Sequence, residues 1–155
     1  MIKITKYESL FRSNKQKYNE KVIIQMKKLS PHIYLEQCQS ALDYYTQIFG
    51  GEIKNTQLAD GIEMFKGHEG KLIHAELHIN DACILYFADV FGHVEKGNHI
   101  WLSIDLESEV ELQAIYEALS QDGQIKMELQ DTFWGTKYGV ITDKFGLIWE
   151  LNFSK

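Results

Sequence analysis

Two stretches decide the fold: PHIYLEQCQSALDYYTQIFGGEIK at residues 31–54 and HIWLSIDLESEVELQAIYEALSQDGQIK at residues 99–126. Each opens with a short alternating run, the signature of a half-buried strand. The first puts His32 and Tyr34 on one face and Ile33 and Leu35 on the other; the second sets His99, Trp101 and Ser103 against Ile100, Leu102 and Ile104. A helix-period segment follows in both. In the first, Cys38, Ala41, Leu42, Tyr45, Ile48 and Phe49 recur on one side and Gly50-Gly51 ends the run. In the second, Ser108 and Glu111 have capping-box spacing, and Val110, Ala114, Ile115, Ala118 and Leu119 are the expected inward stripe. Both helices then pass into a near-identical tetrapeptide, GEIK at 51–54 and GQIK at 123–126. The match falls at the same step of the same pattern, which makes it an internal repeat.

Working outward, EIKNTQLA, KLIHAELHI and ACILYFA read as three strands after the first helix, with a tight reversal at Asn80-Asp81. NTQLADGIEMFKGHEG between them loses periodicity and is expected to be a mobile loop. GQIKMELQ, FWGTKYGVIT and GLIWELN complete the second copy, with Phe133 and Trp134 expected to pack at the start of its third strand. The chain is therefore expected to be an α+β protein of two βαβββ modules, 31–89 and 97–153, in one domain spanning 31–155, with residues 1–30 as an N-terminal extension. In each module one helix covers one sheet face, so the other face must be buried or enclose a ligand. Strand parity assigns His32, Tyr34, His99, Trp101, Ile148, Glu150 and Asn152 to a cleft between the modules, and Ile33, Ile100 and Trp149 to the helix side.

The formal net charge is −6, which points away from nucleic acid and anionic membrane as partners. The most basic stretch, around Lys15, Lys17, Lys21, Lys27 and Lys28, is interrupted by Glu20 and reads as a solvated leader. VIIQM at 22–26 is compatible with a short strand or a single turn. No apolar run is long enough to span a bilayer, and the polar N-terminus is unlike a secretory signal, so a cytoplasmic location is expected. Cys38 and Cys83 sit in apolar patterns and are expected to be buried thiols.

Several side chains carry potential chemistry. Glu150 lies between Trp149 and Leu151, where a carboxylate costs free energy unless it is paired or bound. His74, Glu76 and His78 share one face of a strand, either as its polar side or as a proton-handling cluster. Tyr34, Tyr86 and Trp101 are candidates to line an aromatic ligand site. No glycine-rich nucleotide or S-adenosylmethionine motif is present.

SALDYYTQIFGGEI, HAELHINDACILYFAD and, above all, DTFWGTKYGVITDKFGLIWELN resemble the vicinal oxygen chelate superfamily (glyoxalases, bleomycin-resistance proteins, extradiol dioxygenases), and within it the PhnB-like branch. The resemblance covers about residues 31–153. It implies a cleft between paired modules, a homodimer and a small-molecule ligand. Carried over by motif, it puts a divalent ion (Zn, Ni, Mn or Fe) on His32, His99 and Glu150, while the fourth-strand position falls on Tyr86 or Phe87, neither an ordinary ligand for a hard metal. Two functions follow as expectations. The first is a metal-dependent glyoxalase-like lyase, isomerase or transferase acting on a small oxygen-rich molecule, with Glu150 or Glu76 as base. The second is a metal-free, antibiotic-like binding or sequestering protein.

Overall fold

The computed structural model describes residues 27–154, so residues 1–26 of the leader, with the VIIQM segment, lie outside the described residues. The first module comprises β1 (His32–Leu35), α1 (Cys38–Phe49), β2 (Glu52–Leu58), β3 (Leu72–His78) and β4 (Ile84–Asp89). The second comprises β5 (Leu102–Asp105), α2 (Glu109–Gln121), β6 (Gln124–Asp131), β7 (Thr136–Thr142) and β8 (Ile148–Ser154). The sheets have the same topology, β1-β4-β3-β2 and β5-β8-β7-β6, with the first pair parallel and the rest antiparallel. This is the duplicated α+β arrangement expected from the repeat. Among the described residues no helix is long and apolar enough to cross a membrane.

The tetrapeptide repeat has a steric cause. A Cβ on Gly51 would come within 2.3 Å of the His78 carbonyl oxygen, and one on Gly123 within 2.4 Å of the Leu119 carbonyl oxygen and 2.7 Å of that of Thr142. In both modules the chain leaves its helix so close to neighbouring backbone that only glycine fits. The helix starts are fixed differently. Ser108 Oγ accepts from Glu111 N at 3.2 Å, the first half of the expected capping box, and its hydroxyl donates to the Glu111 carboxylate at 3.0 Å. Gln37 offers α1 no side-chain cap. The buried Asp89 carboxylate takes over, accepting from Cys38 N at 3.0 Å and from Leu72 N at 2.6 Å.

Several expectations need correction. β5 begins at Leu102 rather than at residue 99, because its parallel partner β8 starts only at Ile148 and Leu102 already faces Trp149. Residues 99 and 100 have no strand to pair with, and Trp101 Nε1 turns back to the Asn98 carbonyl at 2.7 Å. α2 buries Leu112, Tyr116 and Leu119, with Ile115 packed against the core, while Val110 is exposed. The stretch after β2 contains a 3-10 turn (Glu63–Phe65), with the Phe65 ring tilted against Phe91 at 4.8 Å and Asp60 accepting from Gly70 N. Cys38 is buried, which pushes its thiol up to about 11, but Cys83 is exposed at the β3–β4 turn. Phe133 and Trp134 do not pack into the start of β7; the turn before it carries both outward.

The helix-facing sides of both sheets merge in one core, where Tyr45 and Phe49 of α1 lie against Trp149 of β8. At its centre sits the buried carboxylate of Asp143. One oxygen accepts from Tyr45 Oη at 2.6 Å and Trp149 Nε1 at 2.7 Å; the other accepts from Phe145 N at 2.9 Å and Leu147 N at 3.0 Å. Four donors from two modules satisfy the charge, so burying it is tolerable. Replacing Asp143 with Asn turns an amide NH₂ towards two of these donors. Urea unfolding of Asp143→Asn is expected to show a loss of about 2–4 kcal/mol, against about 1 kcal/mol for Tyr45→Phe. Equal stability of Asp143→Asn and wild type would refute this role.

Candidate functional site

The face of each sheet turned away from its helix carries the candidate functional side chains. In the first module, cross-strand register aligns His32, Tyr86, Glu76 and Lys54 in one row. The His32 ring lies 4.6 Å from Tyr34, 5.7 Å from His74 and 6.0 Å from Tyr86, and His74 lies 5.0 Å from Tyr86. These neighbours partly desolvate His32 although its edge reaches solvent. Desolvation first, and the nearby His74 second, lower its pKa and favour the neutral imidazole. Lys28 Nζ donates to Tyr86 Oη at 2.9 Å and lies over its ring at 4.6 Å.

Glu76 sits between two imidazoles, with His78 Nε2 at 2.5 Å from one oxygen and His74 Nε2 at 3.2 Å from the other. The hydrogen bond from His78, with further bonds from Asn55 and His74, outweighs desolvation and lowers its pKa to about 2. A carboxylate held so acidic is a weak proton acceptor near neutrality. Its two oxygens hold the His74 and His78 rings by hydrogen bonds.

In the second module the corresponding row is Ser103, Glu150 and Val140, followed two residues on by Asp105, Asn152 and Tyr138. Tyr138 Oη donates to Glu150 Oε1 at 2.6 Å, and Asn152 Nδ2 donates to Ser103 Oγ at 3.1 Å. Burial and the Glu150 carboxylate push the Tyr138 phenol up to about 12, keeping it a neutral donor. Glu150 therefore already has the partner its apolar strand requires.

The internal repeat now defines equivalent positions. His32 lies 6 residues before the first residue of α1 and pairs with Tyr86; Ser103 lies 6 residues before the first residue of α2 and pairs with Glu150. The counterpart of His32 is thus Ser103, and that of Glu150 is Tyr86. His99 lies outside the strand, exposed, ahead of Leu102. Trp101 borders a groove between the modules together with Phe49, Leu85, Ile104 and Ile115. Among the described residues, no hydrogen bond, ion pair or ring contact joins His32, His99 and Glu150 to one another, and no group of three or more His, Cys, Asp or Glu side chains is arranged to hold an ion. His32, Tyr34 and Tyr86 do come together; Glu150 belongs to the other sheet.

Reading the sequence singled out Glu150 but missed Tyr138, its partner. Alternation in TKYGVIT could have placed Tyr138 on the same face as Asn152, but the antiparallel register that brings it to Glu150 is set by the β7–β8 turn.

A family model described as the Glyoxalase/Bleomycin resistance protein/Dioxygenase superfamily matches residues 29–151. An uncharacterised protein of Mycobacterium tuberculosis, Rv0887c, is 29% identical over 138 residues, covering 79% of this chain and 72% of that protein. Protein PA1353 from Pseudomonas aeruginosa has a solved structure similar to this one at a TM-score of 0.74, with 26% identity, covering 83% of this chain and 98% of that one. A PhnB protein from Bacillus cereus, described as a putative 3-demethylubiquinone-9 3-methyltransferase, gives 0.71 and 26%, covering 83% and 100%.

The histidine-bracketed carboxylate carries a pH signature. The folded-state pKa of Glu76, about 2, lies below its ordinary value of 4.5. Its stabilising contribution is therefore complete above about pH 4.5 and is lost as pH falls towards 2. Glu76→Gln is expected to be less stable than wild type at pH 5–7 and to converge with it near pH 2 in urea titrations. A stability gap that does not change with pH would contradict the pairing.

Proposed function

The chain belongs to the Glyoxalase/Bleomycin resistance protein/Dioxygenase superfamily, and on that premise we propose that it binds a small organic molecule, without a metal ion, between the open faces of its module sheets. The observation that carries this reading is the pair of equivalent positions, His32 with Tyr86 and Ser103 with Glu150. His32 and Glu150 are competent metal ligands. A phenol and an aliphatic hydroxyl are poor ones, and Glu150 is already engaged by Tyr138. The set fits a divalent ion poorly. It fits hydrogen bonding to an organic ligand well: a neutral imidazole, two tyrosines, a serine, an asparagine and a carboxylate are distributed over two half-buried faces.

Two copies close the cleft in this reading. The helix-facing sides of both sheets are used up in the shared core, and among the described residues no hydrogen bond, ion pair or ring contact joins the His32–Tyr86 group to the Glu150–Tyr138 group. A homodimer that sets the first module of one copy against the second module of the other gives each face a cover, and two identical sites result.

The test has two arms. Screening a library of organic compounds by thermal denaturation is expected to find stabilisation that EDTA leaves intact, about 2.7 kcal/mol at a ligand concentration of 100 Kd. His32→Ala and Tyr138→Phe should each weaken that binding tenfold or more. Metal analysis and titration with Zn, Ni, Mn and Fe(II) are expected to find no stoichiometric ion. One ion per chain, lost in His32→Ala, His99→Ala and Glu150→Gln, would overturn the proposal in favour of the metal-dependent enzyme.

A further inference from the structure

Resting on the binding reading above, we propose that Lys28 and Tyr86 form an anion subsite on the open face of the first module and take a carboxylate of the ligand there. Lys28 Nζ donates to Tyr86 Oη at 2.9 Å and lies 4.6 Å from the centre of its ring, so the phenol holds the ammonium over the sheet. Two donors remain for a ligand. The ammonium carries three N–H groups and uses one on the phenol. Tyr86 Oη is the acceptor in that bond, and among the described residues it donates to no other group, so its own hydrogen is free. A carboxylate has one oxygen for each donor, and hydrogen bonds between charged groups are stronger than neutral ones.

The other charges on this face are already matched. Glu76, on the strand next to Tyr86, accepts from His74 and His78 through its two oxygens. Lys54, at the far end of the row, pairs with Glu52 at 3.0 Å. Among the described residues no carboxylate forms an ion pair with Lys28. A phenol and its ring hold the ammonium without neutralising it.

The rings of His32, His74 and Tyr86 stand edge to face, with centres 5.7, 6.0 and 5.0 Å apart, and offer apolar contact to the body of a flat acid. Lys28 precedes residues 29–151, the span that the family model matches, so membership of the superfamily does not supply this charge. The subsite arises from this chain's own approach to β1.

Three naphthalene probes of matched shape test the inference at about pH 7.5, where the acid is ionised. They are naphthalene-2-carboxylate, its neutral carboxamide and the cationic 2-naphthylmethylammonium, titrated calorimetrically. The carboxylate is expected to bind about tenfold or more tightly than the carboxamide, with the ammonium weakest. Lys28→Met keeps most of the stem and removes the charge. It should abolish that preference while leaving the carboxamide affinity within about twofold, and Lys28→Arg should keep most of the preference. Tyr86→Phe should weaken carboxylate binding about threefold to tenfold. Equal affinity for carboxylate and carboxamide, the result expected if Lys28 pairs with a carboxylate of a second copy, overturns the subsite and leaves the binding reading in place. So does a carboxylate preference that survives in Lys28→Met. If no probe binds, compounds from the thermal screen take their place. Acids among them that lose about tenfold in Lys28→Met support the subsite, and stabilisation by every compound unchanged in that variant overturns it. No stabilising compound at all overturns the binding reading itself.

Discussion

The buried carboxylate of Asp143 is the constraint on which the rest of the structure depends. It accepts hydrogen bonds from the first module through Tyr45 and from the second through Trp149 and the β7–β8 turn. A charge at that depth is tolerable only with its donors in place, so the two modules are locked together at their helix-facing sides. Burial and the adjacent Asp143 raise the Tyr45 pKa, which keeps its hydroxyl a donor. The run TDKFGLIWE thereby acquires a structural explanation. Asp143 and Trp149 hold the scaffold, and Glu150, one residue on, is turned by strand alternation to the opposite face.

That division of labour leaves each sheet one open face, and the two faces differ in chemistry. The first gathers three histidines, two tyrosines and Lys28 around Glu76. The second gathers Glu150, Tyr138, Asn152 and Ser103, with exposed aromatics at its rim. Duplication fixed where functional side chains sit, and divergence fixed what they are. His32 and Ser103 occupy one position of the repeat, Tyr86 and Glu150 another. The superfamily fold is retained, and the two sheets present different side chains at equivalent positions.

Much of this was legible in the sequence. The repeated order of elements, the capping box at Ser108 and the shared face of His74, Glu76 and His78 follow from periodicity and local hydrogen bonding, which act over a few residues. What escaped depends on long-range register. The sequence HIWLSID alternates from residue 99, yet only Leu102 onward has a partner strand, so extending the alternation put His99 in the cleft. The inward stripe of α2 was read only in part: Ile115 and Leu119 do face the core, but Leu112 and Tyr116 are buried where Val110 was expected to be. Phe133 and Trp134 read as packing material by composition, and only the turn around Gly135 reveals them as exposed.

The most direct test is a diffraction structure of protein purified without chelator, with anomalous data collected across the absorption edges of zinc, nickel, iron and manganese. The account predicts two copies with the His32 face of one opposite the Glu150 face of the other, and no anomalous peak between those side chains. A peak at about 2.0–2.2 Å from both His32 nitrogen and Glu150 oxygen would contradict it.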